Sequence, residues 1–263
     1  MKLEVKELCG GYGAKRVLDG IDFTVESGSV VSLLGANGCG KSTLLKMIGR
    51  ILLPKSGSIL LDGKAVRQYD TLELARRMAI LPQLHHSPGD LSVEELVSYG
   101  RFPHKKGMPG LTRHDREMID DALHMTRMAG LRNRSMGTLS GGERQRAWIA
   151  MTLAQEPELL LLDEPTTFLD ISCQFEIAEL IRQLNRERGI TVLMILHDLN
   201  LAAGCSDRLV MLKDRRVYCS GTPQEVLTRE NLRAVFGIES KIIPMDNGIP
   251  YCIAVGSAKE EEK

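Results

Sequence analysis

The sequence predicts an α/β fold: a buried, mainly parallel sheet, a small antiparallel sheet laid beside it, and a helical segment inserted between its strands. Three observations carry this prediction. Short apolar runs at 30–34, 159–162 and 190–196 have the composition of strands buried on both faces. Residues 2–9 and 17–25 instead alternate apolar and polar side chains, as half-buried strands do. Beyond Leu81 the pattern changes from strand-like to helical spacing and stays so until about residue 150. With 263 residues, 43% of them apolar, the chain can fill the core of one large domain or of one domain carrying an inserted subdomain.

Taken in order, Leu3, Val5 and Leu8 face inward on the first strand, and Gly10-Gly11-Tyr12-Gly13 is read as a turn. Tyr12 sits in that turn, where it can stack on a flat base or pack on its own strands. Val17–Val25 is read as a second strand pair. The run Val30–Leu34 then feeds Gly35-Ala36-Asn37-Gly38-Cys39-Gly40-Lys41-Ser42-Thr43, which fits G-x-x-x-x-G-K-[ST], and an amphipathic helix follows. Glycines let successive backbone N–H groups point inward, and the helix start adds about half a positive charge, so this stretch makes a cradle for phosphates. Lys41 reaches the outer phosphates as a point charge, and the Ser42 hydroxyl suits a magnesium ion. Cys39 in the same loop lies near a helix N-terminus, a setting that activates thiols. Maleimide is then expected to inhibit and nucleotide to protect, whereas equal labelling with and without nucleotide marks Cys39 as mere filler. A short strand at 58–62 completes the small antiparallel sheet.

The helical segment follows the strand Ala79-Ile80-Leu81. Residues 93–100 and 113–130 have helical spacing, with Met118, Ala122, Met125 and Ala129 along one face. His85 and His86 beside Ser87-Pro88-Gly89 read as solvated turn residues, because metal ligands need partners at fixed spacing. Lys105-Lys106 and the pair Arg132 and Arg134 read as solvated surface. Gln83 stands at the seam between the strand-like and helical regimes, where a side chain can touch a ligand and report to a hinge. Ser140 and Glu143 form a capping-box pattern at the start of a strong helix, which alone explains both residues. Gly141 and Gly142 are not needed for the cap and permit an anion to approach bare backbone.

The run Leu159–Leu162 ends in Asp163-Glu164, the carboxyl end of a central strand, where α/β sheets place ligands. Beside a phosphate loop, Asp163 is the candidate for holding magnesium and Glu164 the candidate base for an attacking water. Ile190–Leu196 is the next buried strand and ends at His197. Later, Gly221-Thr222-Pro223 opens a helix, residues 230–236 form another, and Lys241–Met245 with Ile249–Val255 flank Asp246-Asn247-Gly248, a type I′ hairpin signal. The tail from Ala258 to Lys263 is charged and read as disordered.

Composition narrows the partners. Lys plus Arg and Asp plus Glu both number 34, and this balance disfavours a nucleic-acid partner. The six cysteines include no C-x-x-C pair, which fits a reducing compartment. No signal-peptide pattern opens the chain and no apolar stretch approaches the roughly 18 residues needed to span a bilayer, so a membrane role is expected through a partner.

LSGGERQRAWIAMTLAQ, about one hundred residues after the phosphate loop, is similar to the signature motif of ABC-type ATPases, and the chain resembles the ATP-binding subunits of ABC transporters over nearly its whole length. The resemblance implies a P-loop NTPase (RecA-like) core with an antiparallel β subdomain and an inserted α-helical subdomain at about 84–150. The ATP-binding domain is placed at 1–240, with a C-terminal hairpin and tail at 241–263. It also implies roles: Tyr12 as adenine stacker, Gly35 to Thr43 (Asn37, Gly38, Cys39, Gly40, Lys41 and Ser42 included) as phosphate loop, and Gln83 as the Q-loop glutamine beside ATP and Mg2+. Ser140, Gly141 and Gly142 become the signature, Asp163 and Glu164 the magnesium and water residues, Asp170 the D-loop aspartate, and His197 the switch histidine at the terminal phosphate. Within the family, Leu81-Pro82-Gln83, Gly100–His104, Arg144–Met151 and Glu164–Asp170 look most like importers of iron chelates, meaning siderophores, haem and cobalamin. The implied partners are a second copy closing head to tail over ATP, integral-membrane permease subunits, and indirectly an extracytoplasmic substrate-binding protein. The implied place is the cytoplasmic face of the membrane. Rival readings are the ATPase of a metal-ion importer, a soluble ABC-type ATPase driving complex assembly, and an ATP-gated nucleic-acid factor.

Two departures from the family pattern stand out. Ala36 replaces a common Pro, and Asp214-Arg215 replaces a common Asp-Gly, which places Arg215 at positive φ if the turn keeps its shape, with strain of order 1 kcal/mol or more.

Overall fold

The computed structural model describes residues 1–83, 90–105 and 110–258. The strands are β1 Leu3–Tyr12, β2 Lys15–Val25, β3 Val30–Gly35, β4 Ser56–Leu61, β5 Lys64–Ala65, β6 Met78–Leu81, β7 Leu159–Asp163, β8 Thr191–Ile195, β9 Arg208–Lys213, β10 Arg216–Gly221, β11 Ile238–Pro244 and β12 Pro250–Ser257. The helices are α1 Lys41–Ile48, α2 Thr71–Arg77, α3 Val93–Ser98, α4 Arg113–Met125, α5 Gly141–Leu153, α6 Ile171–Arg188, α7 Leu199–Cys205, α8 Pro223–Val226 and α9 Arg229–Phe236.

The central sheet has the order β10-β9-β3-β8-β7-β6, parallel throughout except for the β9–β10 pair at one edge. Every residue of β3, β7 and β8 is buried, which is why these strands read as continuous apolar runs. A second, antiparallel sheet, β2-β1-β4-β5, covers one face together with α1, and its inward residues Leu3, Val5, Leu8, Ile21 and Val25 join Val31, Leu33, Leu161 and Leu193 in a common core. The other face buries Leu34, Leu160, Leu162, Val192 and Met194 against α6, α7 and α9. A separate apolar cluster of Val93, Leu96, Ile119, Leu123, Met136 and Ala150 holds the inserted helices together.

Several local expectations are corrected. Gly10 and Gly11 lie inside β1, and the turn begins only after Tyr12. These glycines are demanded by crowding: a Cβ on Gly10 would fall 2.2 Å from Met47 and one on Gly11 would fall 2.1 Å from the Lys15 carbonyl. The stretch from 17 to 25 is one strand, beginning at Lys15. Residues 93–100 are α-helical only to Ser98 and continue as a tighter 3₁₀ turn over Tyr99–His104, where Pro103 lacks the N–H that an α-helix would use. The helix expected at 113–130 ends at Met125, and Ala129 lies in a separate short turn. Its fully buried residues are Asp115, Ile119, Ala122 and Leu123; of the expected row Ala122 is buried and Met118 and Met125 are half-buried, and Asp115 turns in to reach a buried arginine.

Arg132 is not free surface: it bridges Glu94 and Asp120, at 2.7 and 2.8 Å. Arg134 donates to the Thr138 hydroxyl. In the C-terminal hairpin Pro244 pairs with Pro250, so the loop is longer than a type I′ turn, and positive φ falls at Gly248 alone. Gly248 N donates to the Met245 carbonyl, and Met245 N to that of Ile249, closing a turn with one left-handed glycine. Asp214 and Arg215 both take positive φ, 47° and 70°, so the β9–β10 turn keeps the mirror-image shape without a glycine. The stretch His85-His86-Ser87-Pro88-Gly89, Lys106 and the tail beyond Ala258 lie outside the described residues.

Candidate functional site

Four adjacent strands of the central sheet, in the order β3, β8, β7, β6, run parallel and end on one edge, and each delivers part of a site there. The phosphate loop follows β3, Asp163 closes β7 with Glu164 next to it, and Gln83 and His197 follow the ends of β6 and β8 at Leu81 and Ile195. Residues from 35 to 197 thus meet because the sheet, not the sequence, makes them neighbours. The carboxyl edge of a parallel sheet is the usual ligand position of such folds.

Gly40 sits at φ 108° as the N-cap of α1, and a Cβ there would come within 2.7 Å of Leu18. Gly38, at φ 77°, borders open space. No side chain caps α1, so its first amide N–H groups are open to a ligand. The Lys41 ammonium is buried and donates to the carbonyls of Gly35, at 2.7 Å, and Ala36, at 3.1 Å, bridging the loop that it follows. Asn37 and Gly38 are exposed on the rim, Cys39 is half-buried, and Thr43 is buried inside α1.

Ser42 Oγ donates to Asp163 Oδ1 at 3.0 Å. Burial pushes the Asp163 carboxyl above its ordinary value, the Ser42 hydrogen bond offsets part of that, and the adjacent Glu164 charge adds to it. A buried carboxylate and a hydroxyl side by side at the foot of a phosphate cradle are hard oxygen donors of the kind Mg2+ takes, since that ion keeps waters and phosphate oxygens for the rest of its shell. A cation there would also compensate the carboxylate that burial disfavours.

Glu164 is the hub of the site. Gln83 Nε2 donates to its Oε2 at 2.6 Å, Thr167 Oγ1 donates to the same oxygen at 3.0 Å, and His197 Nε2 lies 2.6 Å from Oε1. A carboxylate only accepts, so this contact calls for a proton on His197 Nε2. Thr167 was missed as a site residue in the sequence, although a hydroxyl three positions after a carboxylate at a strand-to-turn junction is a visible signal.

The remaining candidates lie apart from this hub. Tyr12 ends β1 with its side chain about half exposed, so it is not packed away on its own strands. Ser140 and Glu143 form the complete capping box, Glu143 N donating to Ser140 Oγ at 3.2 Å and Ser140 N to Glu143 Oε2 at 2.8 Å. Gly142 has a packing reason of its own, because a Cβ there would fall 2.7 Å from Cys173 Sγ, while Gly141 is exposed. Asp170 caps α6, accepting from Cys173 N at 2.9 Å. Among the described residues no hydrogen bond joins Ser140–Gly142 to the phosphate loop of the same chain.

A glycine-rich loop between a buried strand and a helix, an uncapped helix start, an ammonium and a Ser–Asp pair on a parallel sheet edge define a P-loop nucleotide-binding domain. Residues 18–167 match the ABC transporter model, and the chain belongs to that family. It is 45% identical to the iron(3+)-hydroxamate import ATP-binding protein FhuC of Bacillus subtilis (strain 168), over 99% of this chain and 97% of that one. It is 41% identical to the ferric enterobactin transport ATP-binding protein FepC of Escherichia coli (strain K12), over 97% of this chain and 94% of that one. The dimeric structure of a bacterial ABC transporter cassette superposes with a TM-score of 0.73 at 29% identity, covering 84% of this chain and 98% of the other. The protein is therefore an ATP-binding, ATP-hydrolysing cassette. Among the described residues no helix is long and apolar enough to cross a membrane.

Proposed function

We propose that this chain hydrolyses ATP to power import of an iron chelate, of siderophore, haem or cobalamin type, through a membrane ABC transporter. The observation that carries the chemistry is the convergence of Gln83, Thr167 and His197 on Glu164, beside the phosphate loop. The cargo class rests on the relatives named above, which are ATP-binding proteins of iron(3+)-hydroxamate import and of ferric enterobactin transport.

In this reading the phosphates of ATP lie over the loop amides, and Lys41 exchanges the Gly35 and Ala36 carbonyls for phosphate oxygens. Tyr12 stacks on the adenine. Ser42, Asp163 and Gln83 would hold Mg2+, which would supply neutralisation of phosphate charge. Glu164 accepts a proton from water, the water oxygen bonds to the γ-phosphorus, and the bond to the β–γ bridging oxygen breaks, ADP leaving with the electron pair. His197 turns from Glu164 to the γ-phosphate.

As the family resemblance implies, the signature residues Ser140, Gly141 and Gly142 serve the ATP of a second copy related by two-fold symmetry, with Asp170 beside that contact. A set of segments linked by hydrogen bonds suits the permease. Arg50 ties the end of α1 to the Thr71 hydroxyl at 2.6 Å, and Arg76 ties α2 to the Pro103 carbonyl at 2.8 Å. These segments expose Ile51 and Leu53, at 63% and 71%, with Leu72 and the stacked pair Tyr99–Phe102. A permease docked there holds the cassette at the cytoplasmic face of the membrane, and an extracytoplasmic binding protein is served only through it.

The test is genetic. A deletion strain given iron only as its chelate is expected to grow with the wild-type chain and not with Lys41→Ala, and radiolabelled-iron uptake should follow growth. A deletion that spares chelate uptake but abolishes uptake of a free metal ion would replace this cargo with that of the metal-ion importers. Recovery of the chain with no membrane partner would favour a soluble assembly ATPase. In the purified cassette, maleimide is expected to inhibit ATP hydrolysis through Cys39, with ATP protecting, and equal labelling with and without ATP would refute this reading of the loop.

A further inference from the structure

Of the groups that hold Glu164, Gln83 and His197 follow the ends of two different strands, and in the reading above both have a second task once nucleotide binds. Thr167 does not. It sits on the same turn as Glu164, half-buried, and clasps it twice: Thr167 N donates to the Glu164 carbonyl at 3.2 Å and Thr167 Oγ1 donates to Glu164 Oε2 at 3.0 Å. Glu164 is itself in the left-handed region, at φ 54°, a conformation that costs a side-chain-bearing residue about 1–3 kcal/mol and persists only where its surroundings impose it. The double clasp supplies that imposition. Donors also divide unequally between the two carboxylate oxygens: among the described residues Oε2 takes Gln83 and Thr167, while Oε1 takes His197 alone.

We propose that Thr167 is a positioning residue for hydrolysis: it keeps Oε2 of Glu164 engaged after Gln83 and His197 turn to the nucleotide, so that Oε1 is the oxygen that takes the proton from water. The inference rests on the reading of Glu164 as base. Without the hydroxyl, the carboxylate rotates about its last side-chain torsion, which is broad and holds no preferred angle by itself, and the base loses aim while ATP binding is untouched. Aim of this kind is a recognised part of rate enhancement, since small misplacements cost large factors.

The experiment compares Thr167→Val, close in shape but without the hydroxyl, with Thr167→Ser, in the full-length protein. Thr167→Val is expected to lower kcat about 10- to 100-fold while the affinity for ATP stays within about twofold, and Thr167→Ser to restore most of the rate. In a Glu164→Gln background, Thr167→Val should add no further loss. Wild-type kcat in Thr167→Val, or a Thr167→Ser as slow as Thr167→Val, would overturn the assignment. Should Thr167→Val not fold, Thr167→Ala and Thr167→Ser give the same two-way comparison. Full turnover in Glu164→Gln alone would instead remove the base reading, so the two failures are told apart.

Discussion

Glu164→Gln is expected to cut ATP turnover by about 10²- to 10⁴-fold, the usual worth of a general base, and to make the protein run as a dimer on gel filtration with ATP. The substitution keeps the hub folded. The amide oxygen still accepts from Gln83 and Thr167, as Oε2 does now, and the amide NH₂ faces His197, whose ring accepts once its proton moves to Nδ1. What disappears is the ability to take a proton from water. Under the proposed head-to-tail closure, ATP would then persist between the phosphate loop of one copy and the signature turn of the other, and the charge that joins the copies would not be removed. Saturating ATP and Mg2+ with no change in elution volume would count against closure by a second copy, and unchanged turnover would count against Glu164 as base.

Much of this hub could be read before any coordinates because its parts sit at strand ends. A wholly apolar run stopping at Asp163-Glu164, or at His197, announces a buried strand delivering polar groups to an edge. The capping pattern that marks Ser140 also opens α3, α4 and α8, where Ser92, Thr112 and Thr222 pair with Glu95, Asp115 and Glu225. Where reading failed, the reason was contact between distant segments. Gly10 and Gly11 look like a turn, yet what they answer to is Met47 and the Lys15 carbonyl pressed against β1. The buried face of α4 takes in Asp115, an acidic side chain turned inward, which hydrophobic spacing cannot register. That side chain answers to Arg101, a buried cation just beyond the stretch 93–100 that reads as helical.

Arg101 carries the second large expectation, that Arg101→Met destabilises the protein by about 3–5 kcal/mol, or roughly 6–20 °C in Tm for a domain of this size. Its side chain is 1% exposed and that of Asp115 6%. Nε donates to Asp115 Oδ1 at 2.8 Å, and Nη1 to the Ala154 carbonyl at 2.5 Å and to Glu156 Oε2 at 2.6 Å. One guanidinium thereby joins the 99–104 turn, the first turn of α4 and the end of α5, the corners of the helical insertion. Methionine fills the space but leaves a carboxylate and a carbonyl in the interior without their donor, and breaking a buried pair costs far more than the pair adds. The pH dependence has a definite sign. Burial alone would raise the Asp115 carboxyl, but the donors Thr112 and Arg101 outweigh it and hold it at about 2. A carboxyl depressed in the folded state gives stability that is complete above its unfolded value near 4 and is lost as pH falls from there to about 2. The gap between wild type and Arg101→Met in urea denaturation should therefore be widest above pH 5 and narrow as pH drops through 4 toward 2. A variant that melts within 2 °C of wild type at pH 7, or a gap that widens on acidification, would show that the helical insertion is held by its apolar cluster alone.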